Sequence, residues 1–291
     1  MKQFIGTGVA LVTPFKNDKS IDFAALEKLV NYQIDNGIDY LVVMGTTGET
    51  TTLTKTEKDQ VKKKVVEVNN GRLPIVLGIG GNNTAAVITE IKETDLSAID
   101  AILSVAPYYN KPTQEGFYQH FAAIAQVTSK PIILYNVPGR TAKNMLPETV
   151  IRLASDFENI IAVKEAGNNV HQYLELLKNK PEDFLIISGD DDLALGVVLA
   201  GGAGVISVIG QAFPKQFSDM IRMGLTGKSK EPYTIHFKLM DIISYIFEEN
   251  KPAGIKAVLK KHKICEPFVR LPLVEATSQL QEKISTFVDN Y

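Results

Sequence analysis

Lys164 closes a short run of apolar, mostly β-branched residues, Ile160-Ile161-Ala162-Val163, and is followed by Glu165-Ala166-Gly167. Bounded by Asn159 and by Gly167-Asn168-Asn169, the run reads as a strand covered on both faces, with the lysine where strand gives way to loop. An ammonium taken out of water tends to shed its proton, and the neutral amine is the nucleophile that a Schiff base with a carbonyl compound requires. The competing reading is that Lys164 merely ends the strand and pairs with Glu165 or a nearby carboxylate. What surrounds it decides between the two.

Other stretches carry polar groups that suit such a site. Gly45-Thr46-Thr47-Gly48-Glu49 sets two hydroxyls between glycines, so that N–H groups and side chains can converge on a small carboxylate, although an ordinary turn has the same composition. Pro107-Tyr108-Tyr109-Asn110-Lys111-Pro112 holds two phenols in a loop stiffened by prolines. Tyr135-Asn136-Val137-Pro138-Gly139-Arg140-Thr141 adds another phenol and a loop arginine that can grip a carboxylate with two parallel hydrogen bonds, or simply sit in solvent. Ser188-Gly189-Asp190 and the stretch 207–210 extend the series.

Each of these stretches follows a short apolar run. The runs fall at 8–12, 40–44, 74–78, 101–105, 131–135, 160–163, 184–187 and 204–208, at the spacing of βα units. Helical periodicity fills the gaps. Asp22 precedes Phe23, Leu26, Leu29, Val30 and Ile34; Thr54 and Glu57 form a capping box; Thr113 opens a run through Phe117 and Phe121; Pro147 and Pro214 stand at first helical positions. Eight alternating units predict a closed (β/α)8 TIM barrel, because an open doubly wound sheet usually stops earlier. The pattern divides the chain into a catalytic barrel, 1–226, and a helical region, 227–291, with helices expected at 233–247, 253–261 and 274–288 and packed on the barrel. In such a barrel the loops after the strands gather on one face, which places all the polar stretches together.

Composition removes other classes. The net charge is −2, without a dense basic run, which argues against nucleic acid and acidic membranes as partners. No apolar run is long enough to span a bilayer, and one cysteine, Cys265, allows no internal disulfide, so a cytoplasmic location is expected. His120, His171, His236 and His262 lack metal-ligand spacing, so no metal is expected. Gly78-Ile79-Gly80-Gly81-Asn82 resembles the start of a dinucleotide fingerprint but lacks its last glycine.

The threonine loop, the Tyr108-Tyr109-Asn110-Lys111-Pro112 loop, the run from Tyr135 to Thr141 and Val163-Lys164-Glu165-Ala166 together resemble the dihydrodipicolinate synthase family, within the pyruvate-dependent aldolases, and the resemblance runs over essentially the whole chain. It implies a lyase of diaminopimelate and lysine biosynthesis, in which Lys164 condenses with pyruvate and the resulting enamine attacks aspartate semialdehyde, with no cofactor. By the same resemblance Tyr135, Tyr109 and Thr46 form a proton relay, Thr47 holds the pyruvate carboxylate, Arg140 receives the semialdehyde carboxylate, the main chain of Ile206 lies near the lysine, and Gly189 and Asp190 belong to the substrate-binding set. The residue matching Tyr109 reaches into a neighbouring subunit in the family, which implies a homo-oligomer, dimer or tetramer. The alternatives are a sister aldolase acting on a sialic acid or a 2-keto-3-deoxy sugar acid, for which Arg140 has little use, and a catalytically silent metabolite-binding barrel.

The resemblance also marks a departure. Many members are inhibited by lysine in a cleft whose residues match Thr50, Thr51, Lys55, Lys58, Asn82, Ala86 and Tyr108 here. Lys55 and Lys58 stand where regulated members carry histidine, or histidine or glutamate, and Ala86 stands where they carry glutamate. Two ammonium groups facing a cationic effector, and no carboxylate for its α-amino group, predict weak or absent inhibition.

Overall fold

The computed structural model describes residues 1–249 and 251–291. Its first half runs β1 (Gly6–Ala10), α1 (Phe23–Asp35), β2 (Tyr40–Val43), α2 (Lys55–Asn69), β3 (Ile75–Gly78), α3 (Thr84–Glu93), β4 (Ala101–Val105) and α4 (Gln114–Ala125). The second continues with β5 (Ile132–Asn136), α5 (Pro138–Thr141), α6 (Pro147–Asp156), β6 (Ile160–Glu165), α7 (Val170–Asn179), β7 (Leu185–Ser188), α8 (Ala194–Leu199) and β8 (Gly204–Ser207). Among the described residues four helices close the chain: α9 (Pro214–Leu225), α10 (Lys230–Glu248), α11 (Ala253–Lys261) and α12 (Ser278–Asn290).

The strands are parallel and close a barrel in chain order, β1 pairing with both β2 and β8. This is the TIM barrel that the alternation predicts. The helix starts follow local chemistry: Ala25 N–H donates to the Asp22 side chain, Thr54 and Glu57 complete the capping box, and prolines open α6 and α9. Among the described residues no helix is long and apolar enough to cross a membrane.

Two apolar layers result. Residues facing outward from the strands pack under the helices in one large cluster, while Tyr40, Val42, Leu103, Ile133, Ile161, Ile187 and Ile206 belong to a second cluster that fills the barrel. Phe4, in a 3-10 turn before β1, packs edge-on to Tyr40 within this inner cluster, their ring centroids 5.7 Å apart.

The structure shifts several limits read from the apolar runs. β1 ends at Ala10, whereas the apolar run continues to Val12, because apolarity marks burial and the pairing with β2 and β8 decides what is strand. α12 begins at Ser278: Thr277 caps it by accepting from Leu280 N–H, and the Thr277 N–H is itself held by Glu249, so 274–277 leave the expected helix. α10 packs on α8 and α9, and α11 on α12. Gly78, in the fingerprint-like run, serves close packing, since a Cβ there would stand 2.1 Å from the Met44 carbonyl oxygen.

Candidate active site

Lys164 lies inside β6, one residue before its end, not in the loop beyond it: Tyr135 of β5 and Ile187 of β7 are its register partners, and the ladder runs on to Asn136 and Glu165. A register shift sets its direction. Ile132 pairs with Ile160, but Ile133 pairs with Ala162, so Ile161 is an extra residue. Ile160 and Val163 therefore face the outer cluster and Ala162 the inner one, and Lys164, in step with Ala162, points into the barrel. Strict alternation from Ile160 would have sent it outward under the helices.

There the amine is buried, with Nζ 4.4 Å from the Tyr135 ring centroid. Gly189 backs it closely: a Cβ on that residue would come within 2.9 Å of Lys164 Cε. Among the described residues neither Lys164 nor Lys251 has a carboxylate within ion-pairing distance. Loss of hydration pulls the Lys164 pKa down to about 8; Asp191 and Asp190 oppose the shift and Arg140 adds to it. Glu165, the first candidate for a structural pair, turns away. It accepts from Asn136 Nδ2 at 2.9 Å and Gln172 Nε2 at 2.9 Å, and burial raises its pKa to about 7.

Two cavities are lined by neighbours of this position, Tyr135 on one and Gly189 on the other. Thr46 and Tyr135 line one of about 130 Å³. Arg140, Gly189, Asp190 and Lys251 line a wider cleft of about 680 Å³. Thr47 is buried in the 3-10 turn beside Thr46, and Ile206 is buried in the barrel interior on β8. Arg140, expected on a loop, rides on the one-turn helix α5 and is exposed. That turn is fixed from below, since Asn136 Oδ1 accepts from Met145 N–H while its amide reaches both Asn144 and Glu165. Tyr109 is the outlier. It is 89% exposed at φ +70° and lines neither cavity, whereas Thr46 and Tyr135 share one. Asn82 and Asn110 hold its loop through bonds to Tyr108 O and Asn82 O.

Several residues were missed by sequence reasoning. Asp191 is buried and accepts from Val208 and Ile209 N–H, tying the loop after β7 to that after β8. Tyr173 OH donates to Glu165 O and meets Ser188 Oγ at 3.1 Å. The run Asp190-Asp191-Asp192 was a signal for the first; nothing in the heptamer 170–176 distinguishes Tyr173 from an ordinary core phenol. Most remote is a clamp on the threonine loop. Glu49, left-handed at φ 54°, accepts from Lys256 Nζ at 2.6 Å and from Arg270 N–H at 3.0 Å, and Lys256 also donates to Phe268 O. Arg270 forks onto Glu57 at 2.6 and 2.9 Å, which lowers the Glu57 pKa to about 2.

Part of the residue set matched to an effector site shares one pocket. Lys55, Lys58, Ala86 and Glu90 line a pocket of about 400 Å³, and Thr50 lies with Lys58 and Glu90 in the cavity that reaches Tyr135. Its charge differs from expectation. Lys55 Nζ is 2.8 Å from Glu93, and Glu90 and Asp59 share the lining, so the expected excess of ammonium groups is balanced. Asn82, another of the matched residues, gives its amide to Tyr108 O.

A family model described as Dihydrodipicolinate synthetase family matches residues 3–291. The chain is 56% identical to the 4-hydroxy-tetrahydrodipicolinate synthase of Flavobacterium psychrophilum over 99% of its own length and 98% of that relative. It superposes on the dihydrodipicolinate synthase of Thermotoga maritima with a TM-score of 0.96 at 37% identity, covering 99% of this chain and 98% of that one. A structure from Cyanidioschyzon merolae with lysine bound gives 0.94 at 35% identity, with coverage of 99% and 98%.

Proposed function

The chain belongs to the dihydrodipicolinate synthetase family and is a 4-hydroxy-tetrahydrodipicolinate synthase in activity, and we propose that Lys164 carries that activity by condensing with pyruvate before aspartate semialdehyde enters. The observation that carries this reading is an inward-pointing, buried lysine with no ion pair among the described residues and a pKa brought down to about 8. Near neutral pH a useful fraction of it is free amine, which attacks the pyruvate carbonyl. Loss of water gives the iminium, loss of a methyl proton the enamine, and the enamine carbon attacks the aldehyde.

These steps move protons, and Tyr135 is placed beside Nζ to pass them to Thr46, with which it shares a cavity. Tyr109, exposed on a pinned loop, completes the relay of a second copy in a homo-oligomer. Thr47 and the turn around it take the pyruvate carboxylate, and the main chain of Ile206 lines the far side. Arg140 on the wide cleft takes the semialdehyde carboxylate, while Gly189 and Asp190 shape the same wall. This second cationic position favours an amino-acid aldehyde over a sugar acid. The covalent carrier is Lys164 itself, so the reading calls on no cofactor.

Borohydride reduction with pyruvate should place the adduct on Lys164 by mass spectrometry, and a coupled assay should show turnover with aspartate semialdehyde. An unmodified Lys164 would sink the mechanism.

For the effector cleft, the balanced charges leave Ala86 as the reason to expect weak lysine inhibition: it offers no carboxylate to the α-amino group, and Glu90 stands one helical turn away.

A further inference from the structure

Lys251 sits in the turn between α10 and α11, immediately before Pro252, in a part of the chain that contributes no strand to the barrel. Its side chain nevertheless lines the wide cleft together with Arg140, Gly189 and Asp190. The ammonium stands 4.9 Å from the Phe247 ring centroid, which supports a cation without neutralising it. Burial pulls its pKa down, and Lys164 and Arg140 add to this while Tyr135 and Asp191 oppose it, so its charge is felt by the residues of the site. Asp190, Asp191, Asp192 and Glu248 share the cleft, yet among the described residues none lies within ion-pairing distance of Lys251, and Glu248 is given to Lys283, so this half-buried cation near Lys164 and Arg140 keeps its donors free for an anion in the cleft.

We propose that Lys251 is a second binding residue for the carboxylate of the aldehyde substrate, gripping it with Arg140 in the wide cleft. This rests on the reading of Arg140 given above. The α-carboxylate of an amino-acid aldehyde offers two oxygens, one edge for a planar guanidinium and a further lone pair for an ammonium. The helical region thereby takes part in substrate selection as well as in packing.

The test compares wild type, Lys251→Gln and Lys251→Arg with aspartate semialdehyde varied at saturating pyruvate, alongside the rate of borohydride trapping with pyruvate alone. The glutamine variant should raise KM for the aldehyde about tenfold or more and leave the trapping rate within about twofold of wild type. The arginine variant, which keeps the charge, should recover most of the loss. An unchanged KM in Lys251→Gln overturns the inference, as does an equal fall in trapping, which would assign Lys251 to Lys164 or to the shape of the mouth. Wild type that traps pyruvate but does not turn over aspartate semialdehyde refutes the substrate reading itself, a result separable from failure of Lys251 alone.

Discussion

The barrel mouth buries Lys164 and the junction with the C-terminal helices buries Lys256, and the two ammonium groups meet different surroundings. Lys256 is fully enclosed but donates to Glu49 at 2.6 Å and to Phe268 O at 2.7 Å, and lies over the Phe15 ring at 4.3 Å. Lys164 has an aromatic ring at 4.4 Å and no carboxylate in pairing distance. Burial lowers both pKa values; at Lys256 the touching Glu49 opposes the shift, while at Lys164 only the more distant Asp190 and Asp191 do, and its pKa falls to about 8. Sequence position does not distinguish them, since each is a lysine among apolar residues. The placement of one carboxylate makes the first a fixture and leaves the second free for the nucleophilic role proposed for it.

Replacing both by methionine breaks this comparison most sharply. On the proposed mechanism Lys164→Met should cost at least about a thousandfold in kcat and abolish borohydride trapping, because it removes the proposed covalent carrier. Activity near wild type would remove Lys164 from the mechanism. Lys256→Met should leave the buried Glu49 without its cation, only the Arg270 N–H remaining, and lower unfolding free energy by about 3 to 5 kcal/mol. Denaturant titration checks this, and a Glu49→Gln partner change should recover part of the loss.

The same pair of variants differs in sign. Lys164 is held below lysine's ordinary pKa, so the penalty on its charged form is fully present below pH 8 and fades as pH rises toward 10.5. Lys164→Met should therefore stabilise the protein at pH 7 by about 1 to 3 kcal/mol, with the gain vanishing near pH 10.5. Destabilisation at pH 7 would show that the folded site favours the ammonium.

Arg140→Ala should reduce kcat/KM for aspartate semialdehyde by about 2 to 4 kcal/mol, or thirty- to several-hundredfold, with pyruvate trapping little changed. A matching loss in trapping would make Arg140 a support of the mouth. The smallest effect concerns lysine: calorimetric titration should find weak binding, and Ala86→Glu should tighten it about tenfold. Tight binding to wild type would mean that Glu90 already meets the α-amino group.

By itself the sequence determined that strand and helix alternate eight times, that Asp22, Thr54 and the prolines open their helices, and that Lys164, Thr46, Tyr135 and Arg140 lie on one face. These follow from local spacing, because capping and periodic burial act within a few residues. Only the tertiary structure decided where Lys164 points, since an extra residue at Ile161 reverses the alternation and a bulge leaves no mark in composition. It also decided which carboxylates act on which cations. Glu49 meets Lys256 and Arg270, Glu57 meets Arg270, Lys55 meets Glu93, and Lys251 joins Arg140 on one cleft, all across long stretches of chain. Electrostatic fate depends on distance in space, and chain order fixes that distance only once the barrel has closed.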